Sequence, residues 1–252
     1  MSLSIVSLLL LIVAVATYFQ TVTGFGLAMI VIGVVSGFQI TEVAFIATVV
    51  SLISIVNSGV ALPKHLHKIQ WRSAFICLAG IIPSSILGVI LLDYLGHQAS
   101  AALELLLGVI IVYSGVRFAL RPKQRETISS DSSFFIVGFI SGLCGGLFGM
   151  PGPPLIFHMY RQPLSIAVVR NMLLLLFCAT SFTRTLYEAT AYGLPAEALY
   201  IATMAIPCVA IFTVIGQKFP PPLSPNNMRR MCFITLILIG IGVIKGSFGQ
   251  LI

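Results

Sequence analysis

The residues best suited to chemistry lie where this chain interrupts its own apolar runs. In Gly142–Pro154, GLCGGLFGMPGPP, glycines and prolines break a stretch that otherwise reads as membrane helix. Proline lacks an N–H and fixes φ, so it suits the first turn of a new helix. A half-helix starting near Pro153 leaves unbonded N–H groups, and the positive end of a helix dipole, at the break. The natural partner of such a point is an anion. A shorter interruption, Thr23-Gly24-Phe25-Gly26, offers an equivalent start in the first half of the chain. Gly24, Phe25, Gly26, Gly149, Pro151 and Gly152 are therefore candidate substrate-binding residues. The competing reading is that the glycines only permit close helix packing. Broken backbone at membrane depth, however, needs a polar partner or a wet cavity.

Arg184 is the second anomaly, late in the apolar run Leu164–Thr190. A charge in a membrane helix is costly and faces the protein interior or water. Arg184 either binds an anion or forms an i, i+4 pair with Glu188. Binding predicts that Arg184→Gln lowers anion transport. Thr48, Asn57 and Asn171, with Ser51 and Thr180, are polar positions inside apolar runs. They donate hydrogen bonds either to an anion or across helices. The first three join the candidate site. Arg170 reads as a snorkelling anchor, and His158 as a polar interfacial residue that titrates near neutrality.

Several chemistries find no support. The five cysteines form no CxxC pair, so neither a metal nor a dithiol site is expected. No GxxxxGK[ST], GxSxG or HExxH is present. The reading is therefore a non-enzyme without cofactors, driven by a substrate gradient or by coupled ions (H+ or Na+). An anion channel is the first alternative and an intramembrane enzyme a weaker one.

The elements that position these residues follow from composition. The chain has 252 residues, 58% hydrophobic and 8% charged, with a mean hydropathy of +1.07. A soluble domain carries roughly 25% charged residues, so the solvent of this chain is lipid. The net charge of +7 sits in short loops. That is the pattern of topology signals, and nucleic acid is not a partner. The stretch MSLSIVSLLLLIVAVATYFQ has no basic start, so it reads as a retained membrane segment and not as a cleaved signal.

The apolar runs are Leu3–Phe38, Val43–Leu62, Ser73–Leu95, Ala99–Ala119, Phe134–Tyr160, Leu164–Thr190, Ala198–Gly216 and Met228–Ile244. Six have the length of one pass. The first and fifth are longer and contain the two interruptions. Placing basic loops in the cytoplasm puts Pro63–Arg72, Arg117–Arg125 and Gln217–Arg230 inside. The loop at Asp93 and His97, and the stretch Glu188–Glu197, then lie outside. This threading leaves only Arg184 and Lys245, of the fourteen Lys and Arg, off the inner side. It also forces the first and fifth runs to return to their starting faces. They are hairpins broken deep in the membrane, the first entering from outside and the second from inside, and both termini lie outside.

The halves share this order. A shift of 123 residues lays Phe25-Gly26 on Phe148-Gly149, Ala44 on Ala167, Thr48 on Asn171 and Asn57 on Thr180. One more residue lays Ile82-Pro83 on Ile206-Pro207. Inverted repeats with broken helices are a recurrent design of secondary transporters. The segments Phe139–Phe157 (FISGLCGGLFGMPGPPLIF) and Gln20–Gly33 (QTVTGFGLAMIVIG) resemble the TauE/SafE sulfite-exporter family, also called TSUP. A typical member has a run of glycines where this chain reads Met150-Pro151-Gly152-Pro153.

The expected fold is thus an all-α integral membrane protein of two inverted repeats, each a Gly-broken helical hairpin followed by three transmembrane helices. Residues 1–120 form the first repeat, 121–132 a cytoplasmic linker and 133–252 the second. The resemblance implies a secondary transporter of sulfite, a sulfonate or a related organosulfur acid, multi-pass in the cell inner membrane. Its partners are the small anion and the lipid bilayer, and its small residues permit a homodimer without requiring one.

Overall fold

Both interruptions become gaps between helices in the computed structural model. It describes residues 3–38, 40–41, 43–120, 124–149, 151–222, 224 and scattered positions from 227 to 245. At the first gap, α1 (Leu3–Thr23) gives way to α2 (Leu27–Gly37). At the second, α5 (Asp131–Phe148) gives way to α6 (Gly152–Arg161). The limbs are unequal. The first limbs, of 21 and 18 residues, are long and apolar enough to cross a bilayer. The second limbs have only 11 and 10 residues, about half a bilayer at 1.5 Å per residue. The other helices are α3 (Val43–Ala61), α4 (Trp71–Leu120), α7 (Ile166–Ala191) and α8 (Ala196–Lys218), with a 3₁₀ turn at Pro63–Lys68. No strand occurs among the described residues.

Contacts fix the relative directions. Cys208 of α8 bonds the Leu10 carbonyl, and Gly216 lies against Thr21, so α1 and α8 are parallel. Asn57 bonds Thr213, and Gln217 bonds the Ala61 carbonyl, so α3 is parallel to α8. Thr48 meets Glu188 while Ser58 meets the Leu174 carbonyl, so α7 opposes α3. Gly138 packs on Cys77 and Gly146 on Ser85, so α5 is parallel to the first part of α4. Arg184, late in α7, reaches the end of α5, and their leading loops meet where Gln124 bonds the Leu164 carbonyl. Hence α1, α3 and α8 run one way, and α4, α5 and α7 the other. The ends of the first set and the starts of the second share one face. Lys64, Lys68, Arg72, Arg125, Arg161 and Lys218 are at or next to those helix ends, and Arg72 pairs with Asp131 there at 2.7 Å.

The α4–α5 interface explains many of the glycines. Gly138, Gly142 and Gly146 recur every four residues on α5 and face Gly80, Ser84 and Gly88 on α4. A Cβ at Gly138 would sit 2.5 Å from the Cys77 carbonyl oxygen. Where lipid is as apolar as leucine, such close backbone approach supplies the packing.

The burial pattern is that of a protein in lipid. Leu11, Phe75, Ile136, Phe182 and Ile211 face outward, while Thr17, Asn57, Asn171 and Arg184 are buried. Polar groups collect inside because the outer surface meets hydrocarbon. Among the described residues six helices have the length and hydropathy of spans, and the chain is a multi-pass membrane protein.

Helical structure runs from Trp71 to Leu120 in α4, but α4 is not one straight rod. Asp93 meets Tyr192 at the far end of α7, while Gln124, just past Leu120, meets the Leu164 carbonyl at the start of α7. The chain therefore turns back between Asp93 and Leu120, as two passes require. The expected last segment, Met228–Ile244, lies partly outside the described residues. Its described positions are helical.

Candidate functional site

At the first break the chain satisfies its own backbone. Gly24 (φ 91°) and Gly26 (φ 117°) adopt backbone that favours glycine. A Cβ on Gly24 would lie 2.7 Å from Cα of Arg170 in α7. The Phe25 ring is fully buried between Phe19 and Tyr160, edge-on to each. Tyr160 donates to the Thr23 carbonyl at 2.6 Å, capping the end of α1. Gln20 reaches forward to accept from the Leu27 N–H at 3.0 Å, and its amide nitrogen donates to Asn57.

The second break is arranged alike with different side chains. Gly149 (φ 66°) ends α5 in the left-handed conformation, and its N–H bonds the Gly145 carbonyl. Arg184, 2% exposed, donates to the Gly146 carbonyl at 3.0 Å and the Gly145 carbonyl at 3.4 Å. Its other terminal nitrogen pairs with Glu188 at 2.7 Å. Glu188 also accepts from Thr48 at 3.2 Å. A cation at a helix C-terminus opposes the negative end of its dipole. A Cβ on Gly149 would lie 2.7 Å from that of Ala47. Each break therefore rests on the first full-length helix of the other half, at Arg170 of α7 and Ala47 of α3. Those two positions are themselves 123 residues apart.

Between the breaks lies a narrow cavity, with room for little more than a water molecule, lined by Gln20, Gly26, Ala28, Met29, Ser54, Gly149, Pro151, Gly152, Phe177 and Ser181. Eight of these ten fall into pairs separated by 123 residues: Gly26 with Gly149, Ala28 with Pro151, Met29 with Gly152, and Ser54 with Phe177. Ser54 lies near the middle of α3, and Phe177 and Ser181 near the middle of α7. The Ser54 and Ser181 side chains are buried and make no hydrogen bond to the described residues. The starts of α2 and α6 both reach the cavity. In α2 the Leu27 N–H is taken by Gln20, leaving those of Ala28 and Met29 without an intrahelical partner. In α6, Pro153 and Pro154 have no N–H, so Gly152 alone of the first three residues offers one. None of the described residues that line the cavity is charged.

The sequence-derived candidates divide accordingly. Gly26, Gly149, Pro151 and Gly152 line the cavity. Gly24 and Phe25 pack behind it. Thr48 is bonded to Glu188 and the Ala44 carbonyl. Asn57 is bonded to Gln20, Thr21 and Thr213. Asn171 is buried with neither side-chain polar atom bonded to a described residue. Arg184 stands one layer behind Gly149 in its ion pair. Sequence reasoning missed Gln20, Ala28, Met29, Ser54, Phe177 and Ser181. The 123-residue shift, applied to Gly26 and its neighbours, links six of the lining positions. At the basic face, burial and then the Arg170 charge hold His65 below its ordinary pKa. Among the described residues no group of three His, Cys, Asp or Glu is placed to hold a metal.

The fold, with its apolar spans and two broken helices, defines a multi-pass membrane protein. The chain belongs to the sulfite exporter TauE/SafE family, whose profile matches residues 9–243. It is 48% identical over 226 residues to a protein of Cupriavidus necator named "Probable sulfite/organosulfonate exporter TauE", covering 90% of this chain and 88% of that one. No solved structure matches. The family is one of membrane exporters, so the chain belongs to transport and is not an enzyme.

Proposed function

We propose that this protein is a secondary transporter of sulfite, a sulfonate or a related organosulfur acid in the cell inner membrane. The anion is held between the starts of α2 and α6 and passed across by alternating access. The observation that carries this reading is the cavity itself. Gly26 from one break and Gly149, Pro151 and Gly152 from the other line one buried space. Half-helix N-termini with free N–H groups and unpartnered serine hydroxyls are the donors an oxyanion needs. Arg184 and Asn57 then act by fixing the breaks in place. The substrate class follows the name of the Cupriavidus necator relative.

Two further features support alternating access. The broken pairs run in opposite directions, and eight of the ten lining residues pair at an offset of 123 residues. Two copies of one unit in opposite orientations give two packings of similar energy, each opening to one side. A flux of H+ or Na+ would supply the driving force. One chain is sufficient for the site, and a homodimer is compatible with it.

The test is uptake of radiolabelled sulfite and methanesulfonate into proteoliposomes. Saturable flux that collapses in Gly149→Val, with no single-channel current in planar bilayers, is expected. Unsaturable flux with discrete currents would identify a channel. Failure of both anions to move under any ion gradient would remove the substrate assignment.

A further inference from the structure

We infer that the cavity between the two breaks selects its anion by charge. It takes monovalent sulfur oxyanions, a sulfonate or sulfite in its hydrogensulfite form, and rejects dianions: sulfate, the doubly ionised form of sulfite, and disulfonates. This rests on the substrate site proposed above and adds a selection rule to it.

Positive charge at the cavity is scarce. None of the ten lining residues is charged. Arg184, the cation just behind Gly149, is held by Glu188 at 2.7 Å, and its inner nitrogen is spent on the Gly145 and Gly146 carbonyls. That ion pair brings no net charge toward the cavity. Arg170 meets Gly24 through its backbone and is not among the lining residues, so what faces the anion is the two helix starts, each equivalent to roughly half an elementary charge. Together they supply about one positive charge, enough for one negative charge and not for two.

Leaving water is also costlier for a dianion. The solvation energy of an ion rises with the square of its charge, so a dianion pays about four times the desolvation cost of a monoanion of the same size. Its attraction to fixed neutral donors rises only in proportion to charge. The donors here are few: the Ser54 and Ser181 hydroxyls and the N–H groups of Ala28, Met29 and Gly152. Met29, Phe177 and the Pro151 ring make the remaining wall apolar. A methyl group lies against such a wall at no cost, whereas a second ionised oxygen would lie there unbonded.

Methanesulfonate and sulfate test this directly, since they differ by a methyl in place of one charged oxygen. Purified full-length protein is titrated with methanesulfonate, sulfate and ethane-1,2-disulfonate at matched ionic strength. Tm and binding heat are followed, alongside Ser54→Ala/Ser181→Ala. Methanesulfonate should raise Tm saturably, and both dianions should bind at least about tenfold more weakly. The double substitution should weaken methanesulfonate by at least about a hundredfold, as expected for two lost hydrogen bonds to a charged group, and Ser181→Ala alone serves if the double variant does not melt cooperatively. Dianions that bind as tightly as methanesulfonate, with a response lost in the serine variants, would overturn charge selection and leave the site standing. Shifts indifferent to the serines, or no shift with any anion, would overturn both.

Discussion

At the scale of single residues, glycines carry the two breaks for reasons that can be separated by substitution. Gly149 has φ 66° and has Ala47 where its Cβ would go. Gly24 has φ 91° and the backbone of Arg170 there. Alanine at either position meets both backbone strain and a collision with atoms that cannot swing away. Gly149→Ala and Gly24→Ala should each lower stability by about 1–3 kcal/mol and lower transport with it. Gly59 is the control, exposed on α3 with nothing within 4 Å of where a Cβ would stand. Gly59→Ala should be neutral or should stabilise by about 0.5–1 kcal/mol, because alanine costs less helix entropy. Thermal melts of the three variants in one detergent check the order. Equal losses at all three would mean that the breaks carry no special strain.

At the scale of elements, two polar clusters join helices that glycine packing alone would leave free to slide. Asn57 ties α3 to α1 and α8 with bonds of 2.7–3.0 Å to Gln20, Thr21 and Thr213. Asn57→Ala would leave those three buried groups short of a partner, each at about 1–3 kcal/mol. A large fall in Tm is expected, with a smaller one for Thr213→Val, which removes one acceptor. Arg184 and Glu188 join the end of α5 to α7 and, through Thr48, to α3. Breaking a buried pair from one side costs about 3–5 kcal/mol. Arg184→Gln should therefore destabilise strongly, and Arg184→Gln/Glu188→Gln should recover much of the loss. A double-mutant cycle on Tm reads this coupling. If Arg184 held substrate instead, Arg184→Gln would cut affinity with little change in the ligand-free melt. The sequence marks both clusters as polar residues in apolar runs. It does not say which face a cavity and which a neighbouring helix, because that depends on rotation about axes that no local pattern fixes. Thr48 and Asn57 are candidates by residue type alone, and both are bonded to protein. Ser54 and Ser181 are equally polar in type, carry no sequence signal that separates them from other serines, and face the cavity.

At the scale of the whole molecule, most of the architecture is legible in the sequence because lipid imposes it. Hydropathy locates the spans, and the two Gly-rich interruptions locate the breaks. The unequal limbs are not legible, since length alone does not show where within a run a helix stops. Nor is the helical character of the reversal within α4, where the chain holds one glycine and no proline from Asp93 to Ala102. The positive-inside argument is the part of the sequence reading that the geometry meets most sharply. The helix directions bring Lys64, Lys68, Arg72, Arg125, Arg161 and Lys218 to one face. The opposite ends of α7 and α8 meet around Tyr192, Gly193 and the acidic Glu197, which carry no Lys or Arg. Cytoplasmic loops retain basic residues because translocating them is unfavourable, so the first face should be the cytoplasmic one. Single cysteines placed at Lys64, Arg125 and Gly193, in a chain with its native cysteines replaced by serine or alanine, convert this into a measurement. A membrane-impermeant maleimide applied to intact cells should label the cysteine at position 193. It should reach those at 64 and 125 only after the membrane is opened. The geometry sharpens the test, because positions 64 and 125 come from different halves of the chain. Position 64 follows α3 and position 125 precedes α5, yet the contacts set both on one side. If 64 and 125 labelled from opposite sides, the packing of α3 against α7 would have to be wrong. If both labelled in intact cells while 193 did not, the packing would stand and the whole molecule would be inverted, with the basic face outward against the charge rule.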